Sequence, residues 1–222
     1  MRSMLVVAPH ADDETLGCGG TILRSIDEGV NVHWLLVTNM SRESGFSDTD
    51  IQQRNNEIRS VHDKYGFASL RELNLPPAQL DTIPTTELID RISAVVHDIK
   101  PEQVLVPYRN DAHSDHERVY DASMSVLKSF RCPFVRRILA YETMSETEFG
   151  FKPEDPGFKP NVFVDISQYL NPKLEVMAYY RSELKDFPFP RSKQAISALA
   201  QLRGAQSNVM AAEAFMLLKE LC

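Results

Sequence analysis

Two short stretches of this sequence hold side chains able to do chemistry together. The first, His10-Ala11-Asp12-Asp13-Glu14, packs one imidazole and three carboxylates into five positions just ahead of Gly17, Gly19 and Gly20. The second, His113-Ser114-Asp115-His116, sets two imidazoles three residues apart. Neutral imidazole and carboxylate are the donors that zinc takes in sites keeping a position open for water. Two His and one Asp therefore read as a mononuclear metal set, and a further carboxylate as the group that takes a proton from water. Adjacent side chains diverge at a tight turn, so Asp12 and Asp13 are expected to divide the work, one on the metal and the other on the water. The remaining histidine is expected to protonate or hydrogen-bond the oxyanion formed when water attacks a carbonyl, with Asp115 beside it as an orienting partner. On chemistry alone this is metal-assisted hydrolysis of an amide or ester.

The elements between these stretches decide whether they meet. An apolar run at 4–8 ends abruptly in acids and glycines, as a buried parallel strand does at its carboxyl end, where open α/β sheets bind ligands. Strand-like and helix-like segments then alternate: a helix over 21–28 closed by Gly29, a strand over 32–37, a helix over 51–65 stopped by Gly66, a strand near 70–73, a helix over 86–99 and a strand over 103–106. Ser114 and Glu117 form a capping-box pattern that predicts a helix running to about residue 130. Strands are expected over 137–141 and 161–166, a helix over 172–181, and helices from there to the end. The rhythm predicts one α/β domain over 1–222, a Rossmann-like doubly wound, mainly parallel sheet with helices on both faces and a C-terminal helical part from about 170. In strand order 3-2-1-4-5 the first and fourth strands are neighbours at the switch point, so both dense stretches open on one crevice.

Composition narrows the alternatives. A chain of 222 residues, 43% hydrophobic and 25% charged, is long enough for a sizeable core and ordinary for a globular domain. Its net charge of -7 lacks the basic surface that non-specific nucleic-acid or anionic-membrane binding needs. The apolar run after Arg2 is too short for a signal peptide, and no window approaches the roughly 18 apolar residues of a membrane span, so a cytoplasmic protein without a transmembrane segment is expected. Cys18, Cys132 and Cys222 are an odd number at spacings that fit neither a disulfide framework nor a CxxC zinc site, and read as core or surface thiols. His33, His62 and His97 lack acidic and His neighbours in matching positions and read as structural or surface residues. A different class of function rests on Gly17-Cys18-Gly19-Gly20, which as a loop after the first strand fits a nucleotide-binding turn. That alternative is a non-catalytic Rossmann-type protein binding a nucleotide or sugar. It lacks G-x-G-x-x-G, and the acids before the glycines would repel a pyrophosphate.

The two motifs together resemble those of the LmbE-like or PIG-L family of zinc-dependent N-deacetylases, marked by a His-Pro-Asp-Asp-Glu turn near the N-terminus and a later His-x-Asp-His segment. The GCGGT glycines, Arg54-x-x-Glu57, Tyr141-Glu142, the NVFVDIS segment, and Arg203-Gly204 followed by Ala212-Glu213-Ala214-Phe215 are similar to family features as well. The resemblance implies His10, Asp13 and His116 as zinc ligands, Asp12 as general base, and His113 as the group that stabilises the oxyanion. It implies an N-acetylated amino sugar conjugate as substrate, and a homo-oligomer as the assembly. Fe2+ also suits a set of two His and one carboxylate. Two customary prolines are replaced by Ala11 and Ser114, which relaxes each turn and restores a backbone N–H without removing a metal-facing atom. The choice of aglycone is expected in the loops 39–50, 108–111 and 146–160. Arg54 is the candidate substrate contact; its alternative is an i,i+3 ion pair with Glu57, worth about a few tenths of a kcal/mol.

Overall fold

The computed structural model describes residues 1–222. Five parallel strands, β1 (Ser3–Ala8), β2 (Asn31–Thr38), β3 (Ser69–Leu75), β4 (Gln103–Pro107) and β5 (Arg137–Tyr141), lie in the order β3-β2-β1-β4-β5. They are linked through α1 (Asp13–Asp27), α2 (Asp48–Tyr65), α3 (Thr85–Ile99) and α4 (Ser114–Val126). β1 is buried on both faces, and strand alternation sends its side chains to two cores. Met4, Val6 and Ala8 pack with Trp34, Ile22 of α1 and Ile58 of α2, whereas Leu5 and Val7 pack with Leu88 of α3 and Val119 of α4. β1 and β4 pair directly, so the turns that follow them open on the same crevice, as the strand order predicts.

Several expectations from sequence are corrected. Gly17, Gly19 and Gly20 form no loop; they lie inside α1, which begins at Asp13. Each glycine costs a helix about 1 kcal/mol relative to alanine, so the reason lies in packing. A Cβ on Gly17 would collide with the Tyr141 ring, and one on Gly20 would sit 2.6 Å from Ile166 Cγ2. The helix is glycine-rich because it presses against the sheet, which removes the basis for a nucleotide-binding turn. The helix α4 is shorter than expected, ending at Val126, and its N-cap is His113 rather than Ser114. The imidazole accepts the Asp115 backbone N–H at 3.1 Å, the task assigned to the serine hydroxyl.

The C-terminal part is not wholly helical. After β6 (Val162–Asp165), α5 (Leu170–Met177) and α6 (Lys193–Ser207), residues 212–220 form β7 (Ala212–Glu220), antiparallel between β5 and β6. Ala, Glu, Met, Leu and Lys are good helix formers, and local propensity favours a helix there. The open edge of β5 overrides it by supplying a backbone ladder, with Tyr141 opposite Phe215 and both rings buried. Glu142 takes both Arg203 Nε and Nη2, at 2.8 and 2.6 Å, which ties the end of β5 to α6. No helix is long and apolar enough to cross a membrane.

Strand β7 also reaches into α1. Glu213 accepts the backbone N–H groups of Gly20 and Thr21 at 2.8 and 2.7 Å and the Lys173 ammonium at 2.7 Å, while Lys173 donates to Leu16 O at 2.8 Å. The pair is almost fully buried and stitched to the middle of a helix, an arrangement open only where the helix lacks side chains. Removing one partner of a buried ion pair strands the other charge and costs about 3–5 kcal/mol. Lys173→Met is therefore expected to lower unfolding free energy by about that amount in urea titrations, and Lys173→Met with Glu213→Leu to recover a large part of it. A single variant as stable as the wild type would show that this pair does not anchor α1.

Candidate active site

The turn between β1 and α1 carries the first motif under strain. Asp12 has φ 142°, in the region that favours glycine, and caps α1 through its carbonyl, which accepts from Thr15 and Leu16 at 3.0 and 2.8 Å. Buried Glu14 holds this conformation. Its Oε2 accepts the Asp12 N–H at 3.1 Å, and its Oε1 accepts the hydroxyls of Thr15 and Tyr180 at 2.6 and 2.7 Å. Burial raises the Glu14 pKa to about 7. The turn is further held by Arg54, whose Nη1 donates to Ala11 O at 2.7 Å.

Two imidazoles and one carboxylate from the two motifs converge. Asp13 Oδ2 lies 3.3 Å from both His10 Nδ1 and His116 Nε2, and it accepts the His10 backbone N–H at 2.8 Å. The opposite nitrogen of each ring is held by a buried acid. His116 Nδ1 is 2.7 Å from Asp111 Oδ2, and His10 Nε2 is 3.0 Å from Asp115 Oδ2. A ring that donates to a carboxylate on one side presents a lone pair on the other. His116 Nε2 is buried and without a hydrogen-bond partner. Two lone pairs and a carboxylate oxygen thus face one point, which is the donor arrangement a divalent cation satisfies and an apolar core does not. A second triad, His10, His113 and Asp115, is also close enough to hold an ion. It fits less well, because Asp115 already accepts from His10 and from the backbone N–H groups of Ala78 and Leu80 at 2.7 and 3.2 Å.

The partner of Asp115 differs from expectation. It orients His10, while His113 Nδ1 stands 3.9 Å from its carboxylate and accepts its backbone N–H instead. That contact leaves the proton of a neutral His113 on Nε2. Burial pushes His113 down to about 4, so the ring is a neutral N–H donor. Its side chain is 30% exposed, against 0% for His116, and it lines a cavity of about 280 Å³ together with His10, Asp12 and Asp13. Burial and the Asp13 charge raise the pKa of Asp12, whose Oδ2 lies 3.2 Å from Arg191 Nη1. A bound cation would tip that balance back towards the carboxylate.

Arg54 makes its ion pair with Glu57, at 3.5 Å from Nε, and much more. Its Nη2 donates to Ser182 Oγ at 3.0 Å and to Glu183, so most of its donors are taken within the protein although it borders the cavity. Two residues escaped the sequence reading. Asp111, placed there among the aglycone loops, is 1% exposed and held by the Thr147 hydroxyl at 2.6 Å; its only signal was an acid five positions before His116. Arg191 has no signal, since 179 residues separate it from Asp12 and only the packing of the segment after α5 brings it over the turn.

Residues 5–127 match the GlcNAc-PI de-N-acetylase (PIG-L) family, a stretch that includes both motifs. The chain belongs to that family. It is 26% identical over 193 residues to the probable N-acetyl-alpha-D-glucosaminyl L-malate deacetylase 2 of Bacillus cereus, covering 82% of this chain and 84% of the relative. It is 25% identical over 225 residues to the diacetylchitobiose deacetylase of Thermococcus kodakarensis, covering 96% and 82%. Its fold matches the N,N'-diacetylchitobiose deacetylase of Pyrococcus horikoshii with a TM-score of 0.78 at 20% identity, over 98% of this chain and 84% of that one.

Acids that orient metal-bound histidines typically contribute about 10–100-fold to metal affinity. Asp111→Ala is accordingly expected to weaken zinc binding by about that factor in a competition titration against a chelating indicator, with His116→Ala losing binding altogether. Undiminished affinity in both variants would disconnect His116 from any metal.

Proposed function

We propose that the protein is a metal-dependent deacetylase that hydrolyses the acetamide of an N-acetylglucosamine-type conjugate to the free amine and acetate. The observation that carries this reading is the meeting of His10 Nδ1, His116 Nε2 and Asp13 Oδ2 beside a cavity that also receives Asp12 and His113. In this reading His10, Asp13 and His116 hold the metal, and the donor set suits zinc, with Fe2+ compatible. A bound divalent ion supplies Lewis acidity and a water acidified to about neutral pH. Membership of a de-N-acetylase family, and relatives named for deacetylating N-acetylglucosamine conjugates, support the reaction and the substrate class.

This chain's own residues supply the remaining steps. Asp12 takes a proton from the attacking water as the new C–O bond forms at the acetyl carbon. His113 Nε2–H donates to the carbonyl oxygen as it gains charge, a role that requires the neutral tautomer its Nδ1 contact selects. The C–N bond then breaks, the proton held by Asp12 passes to the departing nitrogen, and acetate and amine leave. Arg191 orients the Asp12 carboxylate and offsets its burial. Asp115 and Asp111 position His10 and His116. Arg54 holds the turn at Ala11 and presents a face to the substrate cavity.

The test is acetate release from N-acetylglucosamine, diacetylchitobiose and N-acetylglucosaminyl malate by protein loaded with one zinc per chain. A general base is worth about 10²–10⁴ in rate. Asp12→Asn is expected to lose kcat by about that factor while keeping its metal, and His113→Ala to lose kcat with little change in metal content. No acetate from any of the three by the loaded wild type, or full activity in Asp12→Asn, would refute the assignment.

A further inference from the structure

A second cavity of about 250 Å³ adjoins the catalytic one, and Met40, Phe46 and Arg54 line both. Asp50, Gln53 and Glu57, on the first turns of α2, line it as well. Its chemistry is specific in sign. The lining contains one cation, Arg54, whose guanidinium is already bound by Ala11 O, Ser182, Glu183 and Glu57. Glu57 shares that guanidinium at 3.5 Å, which leaves Asp50 as the carboxylate of this cavity without a positive partner. An anionic group entering it would meet the exposed Asp50 carboxylate and a guanidinium already neutralised by Glu57 and Glu183, with no free cation to replace its water.

A neutral, hydroxyl-rich ring meets the opposite situation. Its O–H groups donate to the exposed Asp50 carboxylate, which has no cationic partner. The Gln53 carbonyl oxygen accepts another, while its amide nitrogen is already committed to Glu57 Oε1 at 3.0 Å. Half-buried Phe46 and Met40 offer an apolar wall to the C–H face of a pyranose or cyclitol. We infer that this cavity is the aglycone subsite and that it selects an uncharged sugar or polyol over a carboxylate- or phosphate-bearing aglycone. The inference rests on the deacetylase reading above, and it names the half of the substrate that the metal-centred motifs do not address.

Calorimetric titration of zinc-loaded Asp12→Asn protein with N-acetylglucosamine, diacetylchitobiose and N-acetylglucosamine 1-phosphate tests it, and metal-free wild type provides a second background. The neutral disaccharide is expected to bind about tenfold or more tighter than the monosaccharide, and the 1-phosphate no tighter than the monosaccharide. Asp50→Ala with Gln53→Ala should cut the disaccharide's advantage to about threefold or less, and Asp50→Lys should shift preference towards the 1-phosphate. Equal binding of mono- and disaccharide, tighter binding of the 1-phosphate, or an advantage untouched by the double substitution would overturn the subsite. If wild-type protein shows the disaccharide preference yet releases no acetate, the deacetylase reading fails and the subsite stands. If no sugar binds in either background, the subsite fails whatever the metal content.

Discussion

Two imidazole lone pairs and a carboxylate oxygen are held face to face at the carboxyl ends of β1 and β4, and the surrounding polar network resists their drifting apart. Left to themselves these acceptors would turn away or be hydrated, because acceptors brought together away from water repel and lose hydration. The protein prevents this by committing every other polar atom of the two rings. Asp111 holds one imidazole, Asp115 the other, and each acid is anchored in turn, by the Thr147 hydroxyl or by the N–H groups of Ala78 and Leu80. The strained backbone at Asp12 belongs to the same construction, since a relaxed turn would aim Asp12 and Asp13 elsewhere.

Strain of that kind persists only where neighbours over-determine it. Here the neighbours come largely from the far end of the chain. Tyr180 supports Glu14, Glu213 and Lys173 grip the middle of α1, and Glu183 and Arg191 meet Arg54 and Asp12. The family match over 5–127 contains every residue proposed to bind metal or act on the amide, together with Glu14, Arg54, Asp111 and Asp115 that hold them, whereas Tyr180, Glu183, Arg191 and Glu213 lie beyond it. An ordinary hydrophobic helix could pack on the sheet without this apparatus. α1 instead gives up side chains at Gly17, Gly19 and Gly20 so that Tyr141, Tyr65 and Ile166 approach its backbone closely.

Specificity is separable from this machinery. The residues proposed to hold the metal follow the strands, whereas the walls of the adjoining cavity come from the loop after β2 and the start of α2. Relatives named for a malate conjugate and for a disaccharide match this chain over most of its length, and loops rather than strand ends are where such differences in binding are accommodated.

Several features of this protein were legible in the sequence. The alternation of buried runs and amphipathic segments determined the parallel strands, their order and the meeting of the two motifs, because hydrophobic period and crossover handedness are local or near-local constraints. The types and spacing in His10–Glu14 and His113–His116 determined which residues reach the crevice. Only the tertiary structure decided the rest. Residues 212–220 are a strand because β5 offers an unpaired edge, against their own helical preference. The glycines are helix because of what presses on them, His113 rather than Ser114 caps α4, and Asp115 serves His10 rather than its neighbour. Asp111 and Arg191 acquire their roles through side-chain contacts across loops, and hydrogen-bond partnership over such distances has no period or spacing by which a chain could announce it.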